Sequence, residues 1–218
     1  MTPRRILKKA AALGLDMIAI TDHNSAGNLS AALDCAAGGP VAVIPGMEIT
    51  SAEEAHILAL FETAEAALGM QGQLYRGEDF PPGPEHKAFG TEQVIVNAAD
   101  EVLGFEPRLL ADASSMTLEE IINAVHSFGG LAIASHADRE SFSVLSQLGF
   151  FPENARFDAI EVMGNKANER LPELTRFASS DAHAPHLIGC RKTGFMMEAP
   201  TFSELAMAIK GEAGRGLV

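Results

Sequence analysis

The sequence has no tryptophan, one tyrosine and two cysteines in 218 residues. Cys35 and Cys190 are too few for a disulfide framework and fit a reducing compartment, so the cytoplasm is the expected location. Long apolar runs are also missing. No stretch of about 18 apolar residues is present to span a bilayer, and the opening MTPRRILKKAAALG lacks the apolar core and small-residue cleavage site of a secretory signal. No membrane partner is expected. Basic residues are scarce, 16 Lys and Arg against 29 Asp and Glu, for a net charge of −13. A protein so acidic has no basic stripe to neutralise nucleic-acid phosphates, and a long duplex is expected to be a poor partner. No predicted strand is followed by a Gly-rich phosphate loop, which argues against an open doubly wound sheet.

What is present suits one packed domain over 1–218, with hydrophobic residues at 47% and no linker or fixed-length repeat. Helical spacing of Ile6, Leu7, Ala10, Ala11 and Leu13 behind Thr2-Pro3, with Gly14 as the stop, predicts a first helix. Short apolar runs follow at 17–20, 41–44, 56–61, 131–134, 157–162, 176–178 and 194–197, each of strand length. Helices are expected over 27–37, 91–103, 117–128 and 202–211; the third has a capping box from Thr117 to Glu120 and ends at Gly129-Gly130. The glycines and prolines between about 62 and 90 predict an irregular excursion. Strands alternating with helices argue an α/β protein with a parallel sheet, closed into an incomplete or distorted barrel.

Polar residues gather where these strands end. Thr21-Asp22-His23-Asn24, Gly46-Met47-Glu48, Ser135-His136 and Ser179-Ser180-Asp181-Ala182-His183 each follow an apolar run, and His56 begins one. A lone histidine at a strand end is ordinarily just hydrogen-bonded in place. Five such positions on one face are another matter. Imidazole and carboxylate without thiolate suit Zn²⁺, Mn²⁺ or Fe²⁺, and such sites commonly hold two ions about 3.5–4 Å apart for hydrolysis. Arg139 is a candidate phosphate clamp, with a surface ion pair as the competing reading; Arg191 and Lys166 are weaker candidates. His86 reads as a loop residue, His126 as a partner of its helix C-terminus, and His186 as a support just outside the ligand set.

In their order and intervals these motifs resemble those of the PHP family, named for polymerase and histidinol phosphatase, over nearly the whole chain. The resemblance implies a distorted (β/α)7 TIM-like barrel with up to three metal ions and metal-dependent hydrolysis of phosphate esters. It implies that Glu48 bridges two ions, that His56 and His136 complete the second, that Asp181 holds the first, and that His23 and His183 hold the third. Asp181 and His183 would be catalytic, and Arg139 and Asn24 would contact a small phosphorylated substrate, possible because divalent cations dominate the local field whatever the net charge. Family members open with a strand ending in His-x-His. Here that strand is missing and Met1 falls inside the following helix, so the chain is expected to derive from a longer protein and to hold fewer than three ions. The alternative is a degenerate domain that binds metal but has lost catalysis.

Overall fold

The computed structural model describes residues 1–76, 92–164 and 169–218. The chain runs α1 (Pro3–Ala12), β1 (Met17–Ile20), α2 (Leu29–Ala36), β2 (Ala42–Thr50), β3 (His56–Leu60), α3 (Ala64–Leu74), β4 (Gln93–Val96) and β5 (Val102–Glu106). It continues through α4 (Leu118–Ser127), β6 (Leu131–Ala134), α5 (Val144–Leu148), β7 (Ala159–Glu161), β8 (Arg176–Phe177), β9 (Phe195–Met196), α6 (Phe202–Lys210) and β10 (Gly216–Leu217). The predicted capping box forms at α4, where Thr117 accepts from the Glu120 N–H and the Glu120 side chain accepts from the Thr117 N–H. Among the described residues no helix is long and apolar enough to cross a membrane.

Six strands form the main sheet in the order β1-β2-β3-β6-β7-β8. The pairs β1–β2, β6–β7 and β7–β8 are parallel, but β3 is antiparallel to both β2 and β6. The all-parallel expectation fails at β3 because only residues 51–55 separate it from β2, far too few for a parallel crossover of a dozen residues or more. The α/β class stands, as a curled half-barrel. Among the described residues the sheet has six strands, with β1 and β8 at its edges, against the expected seven-stranded barrel less its first strand.

Side-chain alternation divides the core between the two faces of the sheet. Met47, Ile49, Ile57, Ala59, Ala132, Ala134 and Ile160 pack in one cluster with Ile121, Ile122 and Val125 of α4. Their neighbours Ile44, Leu58, Leu60, Leu131, Ile133 and Ala159 pack in a second cluster with Leu205 and Ile209 of α6. With both faces covered, the strands read as continuous apolar runs rather than alternating ones.

Three stretches depart from expectation. Residues 93–106 form the β4–β5 hairpin rather than a helix: Val94, Ile95 and Val96 favour a strand, and the Asn97 side chain closes the turn by accepting from the Ala99 and Glu101 N–H groups. Within the expected excursion lies α3, capped by Thr63 accepting from Ala66; Gly69 reads as a breaker but is the residue against which the Phe128 ring packs. The rest of that excursion, with His86, lies outside the described residues. Finally, β2 runs straight through Pro45-Gly46. Residues up to Pro45 pair with β1 and those from Gly46 onward pair with β3, so the proline falls at the changeover, where its missing N–H breaks no ladder.

Gly46 permits close approach of its neighbours, since a Cβ there would meet the Ala59 carbonyl oxygen at 2.7 Å. Gly46→Ala should therefore lower stability by roughly 1–3 kcal/mol. Gly72→Ala, in α3 with nothing within 4 Å of the added methyl, should raise it by about 0.5–1 kcal/mol. Denaturant unfolding of the two variants checks both signs.

Candidate metal centre

Reversal of β3 has a direct consequence for the site. Parallel strands deliver their C-terminal ends to one face, and an antiparallel strand delivers its first residue to that same face. His56, the first residue of β3, thereby meets Glu48, near the end of β2, and His136, just past β6. The three donor atoms form a nearly equilateral triangle: His56 Nδ1 to Glu48 Oε1 is 3.2 Å, His136 Nε2 to Glu48 Oε1 is 3.3 Å, and His56 Nδ1 to His136 Nε2 is 3.1 Å. A tetrahedron of donors roughly 2.0 Å from a central ion has an edge of about 3.3 Å. The triangle fits a bound divalent ion.

The other oxygen of Glu48 faces a second group. His23 Nδ1 lies 3.5 Å from Glu48 Oε2, and His23, Glu48 and His56 offer donor atoms within 4.8 Å of one another. A single parallel bridge between His23 and Glu48 extends the β1–β2 pairing into the loop and holds the two together. His23 Nε2 is 3.4 Å from His183 Nε2, and His183 Nδ1 is 3.5 Å from Asp181 Oδ1. All six residues expected at the site thus converge. Glu48, His56 and His136 are buried, whereas His23 is half-buried and His183 exposed. A cavity of about 460 Å³ adjoins the centre, with His23, Glu48, Asp181 and His183 at its polar end and Leu58, Phe177 and Leu205 in its apolar wall.

Other candidates fall out differently. Arg139 Nη1 is 3.5 Å from Asp181 Oδ2, so it reaches the site through that carboxylate. Asn24 has no polar atom to spare: its amide donates to the carbonyls of Leu110 and Asp112 and its oxygen accepts from the Thr50 N–H, and it is fully buried. Its expected contact with substrate is replaced by a role in bracing the loop after β1. Arg191 donates to the carbonyls of Ser179 and Ser180. His126, in the last turn of α4, pairs with Asp158 at 2.9 Å, and His186 is exposed. Lys166 lies outside the described residues.

Sequence reasoning gave no role to Glu161 or Phe142, or to Ser135 and Ser179 within their motifs. The Glu161 carboxylate accepts from Ser135 Oγ and the His136 N–H on one oxygen and from Ser179 Oγ on the other. Ser135 Oγ also donates to Glu48 Oε1 at 2.7 Å. The signal was available, because Glu161 closes an apolar strand just as Glu48 does. The Phe142 ring stacks on His56 with centroids 4.9 Å apart. Of the seven non-glycine residues with positive φ among the described residues, four are at this site: Asn24, His136, Phe142 and Asp181. Such conformations cost of order 1–3 kcal/mol each and persist where surrounding contacts over-determine them. The strain is concentrated at the candidate centre.

Burial favours the neutral form of Glu48, yet hydrogen bonds with His136 and His56 and the nearby His23 outweigh it and hold the carboxyl well below its usual range. Burial lowers the His23 pKa, with Glu48 opposing. Both shifts act in one direction on the metal-free protein. The His23 penalty grows as pH falls through its ordinary value of 6.5, and the Glu48 contribution, complete above its ordinary 4.5, is lost as pH falls through the depressed folded value. Metal-free wild type should therefore lose thermal stability relative to His23→Gln between about pH 7.5 and about pH 5; a melting-temperature difference that stays constant would contradict the shift.

Comparison with protein-family models and with curated proteins finds no match. Solved structures do match. The lesion-specific endonuclease Q of Pyrococcus furiosus superposes with a TM-score of 0.64 at 19% identity, covering 100% of this chain and 53% of that one. Endonuclease Q in complex with a 27-mer duplex substrate, with an abasic lesion at the active site, gives 0.66 at 19% identity over the same shares. A protein from Bifidobacterium adolescentis assigned as a metal-dependent phosphoesterase gives 0.54 at 19% identity, covering 84% of this chain and 83% of that one. The chain spans about half the length of the endonuclease Q structures. These matches correct the expectation that acidity sets a long duplex aside: endonuclease Q carries this fold and takes a duplex substrate. Net charge averages over a whole surface, whereas a phosphate meets only the local field. The resemblance to the PHP family read from the motifs holds at the level of the fold.

Proposed function

We propose that residues 1–218 act as one domain that hydrolyses phosphate esters with the help of divalent metal ions. The observation that carries the reading is the triangle of Glu48 Oε1, His56 Nδ1 and His136 Nε2, with edges of 3.1–3.3 Å. Those three residues would hold one ion, and His23, Asp181 and His183 would hold a second beside it, with Glu48 between the two. The donor set of imidazole and carboxylate suits Zn²⁺, Mn²⁺ or Fe²⁺. When bound, such ions supply Lewis-acid polarisation of the phosphoryl group and a water acidic enough to attack at neutral pH.

The side chains have separate tasks. Glu48, held anionic by its histidine partners, keeps a negative charge at the centre across the neutral range. Asp181 and the exposed His183 stand on the open side of the centre, where a substrate would enter. Arg139 is exposed and pairs only loosely with Asp181, so its guanidinium is available to phosphate oxygens in a bidentate contact. Six donor residues meeting at one face give no support to a degenerate domain without turnover.

Metal analysis and phosphatase assay test the reading together. Glu48→Gln should lose bound Mn²⁺ and drop turnover of a generic phosphomonoester by about 100-fold or more, since ligand loss exceeds the 10–100-fold effect of outer partners. Undiminished metal content and turnover in that variant would overturn the assignment. A duplex carrying an abasic site, assayed in parallel, compares phosphodiester with phosphomonoester hydrolysis. Arg139→Ala should raise KM by roughly 10-fold or more with a smaller change in kcat, the loss of a charge-assisted bidentate contact; an unchanged KM would confine Arg139 to its ion pair with Asp181.

A further inference from the structure

Glu161 is a fully buried carboxylate that makes no contact with any basic side chain in the hydrogen bonds described, yet both of its oxygens are engaged. Oε2 accepts from the His136 N–H at 2.9 Å and lies 3.1 Å from Ser135 Oγ; Oε1 accepts from Ser179 Oγ. The Ser135 hydroxyl has one hydrogen, shared in a three-centre bond between Glu48 Oε1 at 2.7 Å and Glu161 Oε2 at 3.1 Å. Glu161 therefore touches three strand ends at once. Through Ser135 it reaches the carboxylate at the end of β2, through the His136 amide the turn after β6, and through Ser179 the turn after β8 that leads to Asp181. The backbone at His136 has φ +28 and that at Asp181 has φ +44, conformations that need outside support, and Glu161 binds at or near both.

We infer that Glu161 is a positioning residue of the metal centre: it fixes Glu48, by way of Ser135, and the backbone of His136 in the arrangement that receives a divalent ion. This rests on the proposed metal-binding reading. Glu161 spends its two acceptors on groups that aim the ligands, which is how outer partners of metal ligands raise affinity. A carboxylate suits the task because it accepts on both oxygens, whereas an amide turns one of those positions into a donor facing another donor.

Co²⁺ titration of the full chain, read by its visible d–d absorption, is the test. Glu161→Gln and Ser135→Ala should each weaken Co²⁺ binding by about 10–100-fold and alter the band shape that reports ligand geometry. Ser135→Ala removes one buried oxygen only, so it decides the matter if Glu161→Gln does not fold. In the double variant the combined loss should be smaller than the product of the single losses, because part of the effect of Glu161 passes through Ser135. Binding within about twofold of wild type in both single variants, with lowered melting temperature alone, would leave Glu161 a purely structural residue and overturn the inference. Independent, multiplicative losses would overturn the route through Ser135. Glu48→Gln separates the two levels: if wild type takes up no Co²⁺, the metal reading itself fails, while loss in Glu48→Gln without loss in the other two variants removes only the role of Glu161.

Discussion

A carboxylate placed where water cannot reach it must find partners or give up its charge. Glu48 is in that position, 5% exposed at the end of an otherwise apolar strand, and the surrounding structure answers its demand. His56, His136 and Ser135 approach one oxygen and His23 the other. Four different segments of chain are thus drawn to one point. The histidines gather around it at spacings that crowd their nitrogens together, an arrangement awkward for neutral imidazoles alone and natural around a cation. Glu48 is best understood as the centre about which the ligand set is built.

Chain direction does the rest. Because β3 runs against its two neighbours, a tight connection suffices to put both Glu48 and His56 at the same end of the sheet. A parallel β3 would have required a long crossover and would have left its first residue at the opposite end. The antiparallel strand is what allows a ligand at a strand start to join ligands at strand ends, and apolar packing on both faces of the sheet keeps the three strands in register.

Much of this was legible from residues alone. Apolar runs with His or carboxylate at one end marked the strands and the six residues that converge at the candidate centre, because burial restricts which side chains can occupy such positions. Direction was not legible, since an apolar run of strand length reads the same whether its partner runs with it or against it. The hairpin at 93–106 was misread as a helix because its apolar spacing allows either period, and its turn depends on one Asn97 side chain. Glu161 was passed over because its partners, Ser135, the His136 N–H and Ser179, come from other segments that only the fold brings to it. Asn24 shows the reverse, a polar residue in a site motif whose bonds all turn inward to the backbone.

The separation of the ligands along the chain bears on how the centre is filled. His23 and His183 touch across 160 residues, a contact that has to await closure of nearly the whole fold, while Glu48 and His56 belong to one hairpin and can meet on the microsecond scale of local pairing. During synthesis the hairpin emerges well before Asp181 and His183 exist. If the proposed ligand set is right, an ion present at that moment would encounter a partial site of Glu48 and His56 first, then His136, and only afterwards the remaining residues. Since affinity rankings among divalent metals are similar for most such donors and availability decides much of the outcome, the identity of any ion this centre holds would be set in part by which metal surrounds the nascent chain, before the finished geometry can discriminate.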